Sequence, residues 1–381
     1  MKKAKSPPPD DLNYSLAASP TAATTAPLLP WEPPTPTEYQ PRIGLIACGG
    51  ITETHLKAYR KVGWNVVGLC DLIAERAETR RRQFYPDAFT TTDYRELLKH
   101  DEIDVVDIAT HPQDRAPIIS DALRAHKHVL SQKPFVLDLA TGRELVELAR
   151  SVDRRLAVNQ NGRYAPHFSY MRKAVEAGLV GDVTGVHMAV HWDHSWTAGT
   201  PFERIRDLVL YDFAIHWFDM AMQLLDGRAW TRVYGERTCA ARQPVKPPLL
   251  ASAAFQYDGG HGTLVFDGNV QFGPADSTYV AGTLGSLCST GPNLSRQKVV
   301  LTTSAGVASP QLHGDWFPDG FRGTMGELLC AIEEGREPAN SAAANLRSLE
   351  LCFAAIASAD DGLPKLAGEV SRLPTGSAPG A

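Results

Sequence analysis

The sequence predicts two folded domains: an α/β domain with a parallel sheet, then an α+β domain with a large, open and mostly antiparallel sheet. Between residue 43 and about residue 160, short and almost continuously apolar strands alternate with helical segments, which is typical of a parallel sheet covered on both faces. After about residue 163 the strands become longer and alternate between apolar and polar residues, which indicates a sheet with one covered face.

The composition is that of a globular protein and excludes several classes of function. The chain has 381 residues, of which 43% are hydrophobic and 21% charged, and its net charge is −5. This charge gives no general attraction to nucleic acid or to an anionic membrane, and no apolar run approaches the ~20 residues of a membrane span. We therefore expect no nucleic-acid partner and no membrane partner.

The N-terminus and the cysteines favour a cytoplasmic location. A basic start is followed by prolines and aspartates rather than by the apolar stretch of a signal peptide. The six cysteines are scattered, without any Cys-x-x-Cys spacing, which indicates reduced thiols.

The first 40 residues differ from the rest of the chain. They are rich in Pro, Ala and Thr, and such a segment cannot bury enough surface to fold alone. We expect a disordered tail, or an extended arm whose apolar residues 28–31 lie along the folded body or a neighbouring subunit. The predicted boundaries are 1–40 for this tail or arm, 41–163 for the first domain, 164–371 for the second, and 372–381 for a C-terminal tail.

The elements of both domains follow from apolar periodicity and from helix-capping signals, such as the capping-box spacing of Asp93 and Glu96. The first domain is predicted to contain strands at 43–47, 65–71, 105–110, 128–131 and 156–160, and helices at 51–62, 72–84, 93–99, 118–125 and 139–151. The second is predicted to contain strands at 185–193, 231–237, 251–257 and 262–267, and helices at 168–177, 211–225, 323–334 and 345–360.

A glycine turn after the first strand predicts a dinucleotide site. Gly49 and Gly50 stand where a strand meets a helix, so the backbone can approach a pyrophosphate at the positive end of that helix. The usual Gly-x-Gly-x-x-Gly pattern is incomplete, because Ala47 and Thr52 occupy its first and third glycine positions. Asp71 ends the second strand about 20 residues later, where a carboxylate can accept hydrogen bonds from the adenosine ribose.

The preferred cofactor is NAD rather than NADP. Asp71 would repel the 2′-phosphate of NADP. A cluster of arginines that follows it could instead pair with that phosphate, but glutamates share the same helix, and this favours a solvated helix face. The arginines are Arg76, Arg80, Arg81 and Arg82.

A lysine, a carboxylate and an imidazole supply the groups for proton transfer. Lys133 follows a buried strand at its carboxyl end, where ligands bind in open α/β sheets, and Pro134 restricts its backbone. Its ammonium can stabilise a developing alkoxide. Asp212 and His216 are four residues apart on a predicted helix, so the carboxylate can orient the ring and support its protonated form as His216 acts as general base.

Histidines and tryptophans of the second domain offer two further interpretations. His187, His191 and Asp193 share one face of a strand while His194 points to the other, so this spacing favours no metal site. Trp192 and Trp196 can pack against the C–H faces of a sugar, although packing in the core is an equally good explanation.

Taken in this order, the motifs resemble those of the glucose–fructose oxidoreductase/inositol dehydrogenase/MocA (Gfo/Idh/MocA) family. The similarity extends from about residue 43 to residue 366. One departure matters: the family's usual Glu-Lys-Pro is Gln132-Lys133-Pro134 here, which should alter how Lys133 is oriented and charged. The motifs are Gly49-Gly50-Ile51, Asp71, Ala109-Thr110, Gln132-Lys133-Pro134, Asn161-Gly162-Arg163-Tyr164 and Asp212-x-x-x-His216.

The resemblance implies a Rossmann domain, a C-terminal open-sheet domain, and a nicotinamide held between them. Family substrates are mostly sugars, cyclitols and related polyols, and family members form dimers or tetramers through the C-terminal sheet. The expected cofactor contacts are Cys48, Gly49, Gly50, Ile51, Asp71, Thr110, His111, Gln132 and Lys133. The expected substrate contacts are Lys133, Arg163, Tyr164, Trp192, Trp196, Asp212 and His216, of which Lys133, Asp212 and His216 are the expected catalytic residues.

The leading hypothesis is an NAD(H)-dependent oxidoreductase that oxidises or reduces a secondary alcohol or ketone of a sugar, cyclitol or glycoside, in a homodimer or homotetramer. Two alternatives stay open. One is redox-neutral glycoside cleavage through transient oxidation and elimination, with NAD recovered unchanged. The other is a non-catalytic regulatory protein that senses sugar and NAD on the same fold.

Overall fold

The computed structural model describes residues 20–375, which form two β-sheets with helices packed against them. Residues 1–19 of the predicted tail or arm and residues 376–381 of the C-terminal tail lie outside the described residues. None of the helices between residues 20 and 375 is long and apolar enough to cross a membrane.

The N-terminal sheet has six strands, all parallel, in the order β3-β2-β1-β4-β5-β6. The chain winds outward in both directions from the centre, which is the Rossmann arrangement, and the order reverses between the first strand and the fourth. The predicted α/β fold is confirmed, although the short third strand was not predicted. The strands are β1 (Arg42–Ile46), β2 (Asn65–Cys70), β3 (Phe89–Thr91), β4 (Val105–Ile108), β5 (His128–Gln132) and β6 (Leu156–Asn159).

Two of the five helices of this domain begin at a capping aspartate. Asp93 accepts a hydrogen bond from the Arg95 amide, and Asp138 accepts one from the Ala140 amide. Both carboxylates thereby satisfy amides that have no partner within the helix. The helices are α1 (Thr52–Lys61), α2 (Ala74–Phe84), α3 (Tyr94–Leu98), α4 (Pro112–Arg124) and α5 (Leu139–Ser151).

The C-terminal sheet has nine strands in the order β14-β13-β12-β11-β7-β10-β9-β8-β15. Seven of its eight pairings are antiparallel, and only β7 with β10 is parallel, so the predicted sheet type is confirmed. The strands are β7 (Val183–His191), β8 (Trp230–Thr238), β9 (Leu250–Tyr257), β10 (Gly260–Asp267), β11 (Ala275–Gly282), β12 (Gly285–Gly291), β13 (Lys298–Thr303), β14 (Gly306–Ala308) and β15 (Lys365–Leu366).

One face of this sheet is buried within the protein and the other is open. Along β7, Val186, Met188 and Val190 are buried, whereas His187 and His191 on the other face are partly exposed. Apolar and polar residues alternate along β7 because its two faces meet different surroundings. The helices of this half are α6 (Pro166–Glu176), α7 (Ile215–Leu224), α8 (Trp316–Glu333) and α9 (Ala342–Asp361).

The N-terminal segment, from residue 20 to residue 40, lies along the folded body. The Thr24 amide donates to the Val307 carbonyl of β14 at 2.9 Å, and Ser169 of α6 donates to the Trp31 carbonyl at 2.7 Å. Gly326 of α8 leaves room for the segment, since a Cβ there would collide with the Pro34 carbonyl oxygen. This part of the predicted tail or arm therefore packs against its own chain.

Candidate active site

The turn that follows β1 keeps the conformation of a dinucleotide-binding loop despite its unusual sequence. Ala47, at the first glycine position, has φ +75°, a left-handed conformation that glycine adopts more easily. A Cβ on Gly49 or Gly50 would meet no other atom within 4 Å, so the space in front of the turn is open. The third position, Thr52, is fully buried and its hydroxyl donates to the Gly49 carbonyl at 2.6 Å.

Asp71 holds this turn from the end of β2. Its two carboxylate oxygens accept from the backbone amides of Cys48 and Ile73, each at 2.8 Å. The Cys48 amide is thus already bonded within the protein, while the Asp71 oxygens keep lone pairs for ribose hydroxyls. The open glycine turn, the N-terminus of α1 and this carboxylate fit the diphosphate and ribose of NAD.

The arginines after Asp71 pair mainly with carboxylates of the same domain. Arg81 forms an ion pair with Glu78, and Arg82 forms one with Glu75. Arg80 bonds Glu53 of α1 at 2.8 Å and the Gly49 carbonyl at 3.3 Å. Arg81 and Arg82 thus belong to a charged helix face, whereas Arg80 is only 13% exposed and turns toward the glycine turn.

Lys133 reaches from the end of β5 to the start of α7. Its Nζ donates to the Asp212 backbone carbonyl at 2.7 Å and lies 3.4 Å from the Asp212 Oδ2. Both side chains are 16% exposed, so the pair opens to solvent on one side. The structure thus brings the predicted lysine and carboxylate together.

A buried arginine that the sequence analysis missed supports the Lys133 segment. Arg115 Nε donates to the Thr110 carbonyl at 3.1 Å, and its Nη1 donates to the carbonyls of Gln132 and Pro134. Burial lowers its pKa to about 10. The predicted helix began only at residue 118, so no periodic signal placed Arg115 on α4, near the carboxyl end of the sheet.

Asp212 and His216 do not form the predicted pair. Residues Leu208–Phe213 wind as a π-helix, and the α-helix begins only at Ile215, so residues four apart no longer stack as they would on one regular helix. The Asp212 carboxylate faces Lys133, and His216 Nδ1 has no hydrogen-bond partner within residues 20–375. The expectation that Asp212 orients the imidazole is therefore wrong.

His216 is held by packing. Its ring lies edge to face against Trp316 at 5.1 Å, and a Cβ on Gly162 would lie 3.5 Å from its Nδ1. Since Nδ1 faces the protein, Nε2 is the nitrogen left for a substrate. Burial, and then the nearby Lys133 ammonium, hold the pKa of His216 well below its ordinary value, so the ring is neutral and able to accept a proton.

These residues line one cleft of about 680 Å³. Of the predicted cofactor contacts, Cys48, Gly49, Gly50 and Asp71 lie at the turn beyond its lining. The opposite wall is aromatic: Trp196 is 56% exposed and packs edge-on against Phe202, which in turn lies against Phe213. The predicted residues in the lining are Ile51, Thr110, His111, Gln132, Lys133, Trp192, Trp196, Asp212 and His216.

The histidines of β7 have separate surroundings. His187 bonds Thr263 at 2.8 Å and His191 bonds Asp267 at 2.7 Å, both on the outer face of the sheet. His194 lies in the cleft lining instead, and burial lowers its pKa to about 4.

Sequence models of one family match both halves of the chain. Residues 41–160 match the oxidoreductase family with an NAD-binding Rossmann fold, and residues 168–288 match the GFO/IDH/MocA C-terminal domain. The chain belongs to the GFO/IDH/MocA family. It is therefore an oxidoreductase with an N-terminal NAD-binding Rossmann domain, and NAD is its cofactor.

Individual members of the family are distant relatives of the chain. The inositol 2-dehydrogenase of Gluconacetobacter diazotrophicus is 25% identical over 279 residues, which are 72% of this chain and 80% of that protein. The D-apiose dehydrogenase of Paraburkholderia graminis is 29% identical over 46% of this chain and 48% of its own length. An Agrobacterium radiobacter oxidoreductase, crystallised with NAD+, L-tartaric acid and magnesium, shares the fold at a TM-score of 0.78 and 20% identity, covering 87% of this chain and 99% of that one.

The family motif at residues 161–164 lies outside the cleft lining except for its first residue. Arg163 is buried and forms two hydrogen bonds, at 2.5 and 2.7 Å, with Asp219 of α7. Tyr164 is also buried and packs against Gly323, where a Cβ would collide with its ring. The expectation that Arg163 and Tyr164 contact substrate is corrected, because both side chains turn into the core. Asn161 does line the cleft, and its Oδ1 accepts from Trp316 at 2.6 Å.

Proposed function

We propose that this protein oxidises a secondary alcohol of a sugar, cyclitol or glycoside, or reduces the corresponding ketone, with NAD(H) as cofactor. The observation that carries the proposal is that Lys133, Asp212 and His216 line a single cleft at the carboxyl end of the Rossmann sheet. Relatives named as inositol and apiose dehydrogenases act on polyols and sugars, which supports this substrate class.

In the proposed reaction, side chains of the cleft accept a proton and stabilise a negative charge. Neutral His216 takes the hydroxyl proton of the substrate, and its low pKa keeps it in the accepting form. The Lys133 ammonium faces the developing alkoxide, and Asp212 holds that ammonium by both its carbonyl and its carboxylate. When bound along Gly49, Gly50 and Thr110, NAD would supply the nicotinamide that accepts the hydride.

The aromatic wall supports a sugar-like substrate. Trp196, Phe202 and Phe213 present apolar faces in the same cleft as the charged groups. A pyranose or cyclitol carries its hydroxyls around the ring edge and C–H bonds on its faces, so it can meet both surroundings at once. We propose that Trp192 and Trp196 contact the substrate ring.

We further propose a homodimer or homotetramer through the open face of the C-terminal sheet, in the cytoplasm. This face carries partly exposed aromatic residues, including Tyr234 at 39% and Tyr279 at 45%. The cysteines are free, which agrees with a reducing compartment. A monomeric mass by light scattering at micromolar concentration would contradict the assembly.

The test is a panel of polyols, sugars and glycosides with NAD and with NADP, followed at the absorbance band of reduced nicotinamide. We expect substrate-dependent NADH formation with a member of the panel. Product formation with NAD recovered unchanged would instead support the redox-neutral glycoside cleavage. Sugar binding without turnover by any compound would support the regulatory alternative and overturn the proposal.

A further inference from the structure

A chain of buried hydrogen bonds runs from the backbone of Lys133 into the core of the Rossmann domain. Gln132 Oε1 accepts from the Lys133 amide at 2.7 Å, and Gln132 Nε2 lies 3.1 Å from His55 Nε2. On the far side of the ring, His55 Nδ1 lies 2.7 Å from Asp107 Oδ2. His55 and Asp107 are fully buried, and Gln132 is 5% exposed. The proposed mechanism uses none of these three side chains in chemistry.

The geometry permits one protonation state of His55. Because the amide oxygen of Gln132 accepts the backbone bond, its NH₂ group must point to His55 Nε2. Asn159 Nδ2 lies 3.2 Å from the same nitrogen, and the Asn159 oxygen lies 2.7 Å from the Thr324 hydroxyl, which also has the Phe321 carbonyl as an acceptor at 3.1 Å. His55 Nε2 therefore carries no proton, and Nδ1–H donates to Asp107.

The carboxylate that accepts from the ring has a second donor. Tyr59 also donates to Asp107 Oδ2 at 2.7 Å, so the carboxylate already receives two hydrogen bonds. Among the described residues that contact His55, only Asp107 and Tyr59 are titratable. The contacts are Asp107 from β4, Tyr59 from α1, Gln132 from β5, Asn159 from β6 and Phe321 from α8.

We propose that His55 and Gln132 are positioning residues that fix Lys133. In this network the side chain that bonds the lysine, Gln132, does not titrate. This inference rests on the proposed function. The network holds the Lys133 amide from one side, while Arg115 holds the flanking carbonyls of Gln132 and Pro134 from the other. The segment that carries the ammonium is thereby fixed at both its donor and its acceptor groups.

A glutamate at position 132, the usual residue of the family resemblance, would change this behaviour. A carboxylate can still accept from the Lys133 amide, but it has no N–H group to offer His55 Nε2. The ring must then take up a proton to bond it, and would lie as an imidazolium between two carboxylates. When that proton leaves at higher pH, the carboxylate faces an unprotonated nitrogen and the support of Lys133 loosens.

The test compares Gln132→Glu with the wild type across pH in the intact enzyme. We expect kcat of the variant, relative to wild type, to fall by roughly 10-fold or more between about pH 6 and pH 9, while the KM for NAD stays similar. Gln40→Glu, which adds the same charge at an exposed position just before β1, outside the cleft lining and the C-terminal sheet, is the matched control and should give a flat ratio. A flat ratio for Gln132→Glu as well would overturn the positioning role.

Ring-nitrogen NMR of the wild type supplies a readout that needs neither turnover nor a variant that folds. With ¹⁵N-histidine labelling, His55 should show the tautomer with a proton on Nδ1 and none on Nε2. A protonated Nε2 would overturn the assigned network even if the enzyme is active. Conversely, failure to find a substrate would leave this measurement standing and would count only against the proposed function.

Discussion

The two walls of the cleft are built differently. On the Rossmann side, Lys133 donates its amide to Gln132 Oε1 and its Nζ to the Asp212 carbonyl, and Arg115 donates to the flanking Pro134 carbonyl. On the C-terminal side, His216 sits among tryptophans, and its Nδ1, like Trp217 Nε1, is buried without a partner in the part of the chain that the structure describes.

This difference gives the two walls different tasks: one places the charged group, and the other recognises the substrate ring. Hydrogen bonds fix distance and angle, so the lysine wall, formed by Arg115, Gln132 and Lys133, sets the position of the ammonium and of the cofactor. Packed rings fix shape with little directional constraint, so the aromatic wall can tolerate different substrate rings. We expect changes in the lysine wall to lower kcat and changes in the aromatic wall to raise KM, with His216 as the exception because it transfers the proton.

The largest expected effect concerns the two groups that meet the reacting hydroxyl. Lys133→Ala and His216→Ala should each lower kcat at least ~100-fold, the usual contribution of a positioned proton-transfer or alkoxide-stabilising group. NAD affinity, measured by titration calorimetry, should change far less. Lys99→Ala, at an exposed lysine that directly follows α3, is the control. Near-normal turnover in either active-site variant would contradict the mechanism.

A smaller effect is expected for cofactor choice, which is set at the glycine turn of the Rossmann domain, beyond the cleft lining. Asp71→Ser removes the carboxylate that would repel a 2′-phosphate, so the ratio of kcat/KM with NAD to that with NADP should fall by roughly 10-fold. The KM for the alcohol should stay nearly constant. A wild type that prefers NADP would show that the arginines of α2 decide the cofactor instead.

The aromatic wall should respond mainly in affinity. Trp196→Ala removes an exposed face of the cleft and should raise the KM for the alcohol by about 2- to 10-fold, the value of one aromatic contact, with little change in kcat. Phe272→Ala, at an aromatic residue that is 88% exposed outside the cleft lining, serves as the control. Equal effects of both variants on KM would remove Trp196 from the substrate site.

The subtlest expected effect is a shift in pH dependence that links the two walls. The depressed pKa of His216 should place the acid limb of kcat/KM below the ordinary histidine value of about 6.5. Lys133→Met removes the repulsion between the ammonium and an imidazolium, so the pKa of His216 rises. The acid limb of the residual activity should therefore move to higher pH. Burial, the larger cause, is unchanged, so the shift should be partial. An unmoved limb would mean that the two groups are not coupled.

The first domain was more predictable than the second for a physical reason. Strands buried on both faces are continuous apolar runs, and β1, β2, β4, β5 and β6 all gave that signal. The strands β11, β12 and β14 escaped prediction because small and polar residues dominate them, as in Ala275–Gly282. The strand β13 was also missed, although it contains the apolar run Val299, Val300 and Leu301. Their pairing is decided by contacts with distant strands, which a local pattern does not contain.

For the site, the identity of the reacting groups was more accessible than their arrangement. Lys133, Asp212 and His216 carry recognisable chemistry at a recognisable spacing, and the structure brings them to one cleft. The π-helix that turns Asp212 toward Lys133 leaves no sequence signal, and neither does the burial of Arg163. At Ala47 the structure keeps a feature that the sequence pattern lacks. The backbone there has φ +75°, although alanine replaces the first glycine of the motif.

The contact between the N-terminal segment and β14 has a consequence for solubility. β14 is an outermost strand of its sheet, and such strands can pair with other chains and begin aggregation. Residues 22–24 cover it, since Val307 donates to the Ala22 carbonyl and accepts from the Thr24 amide. Removing the segment would therefore expose the unpaired backbone groups of β14. We expect the shortened protein to precipitate or form filaments before it loses catalytic activity.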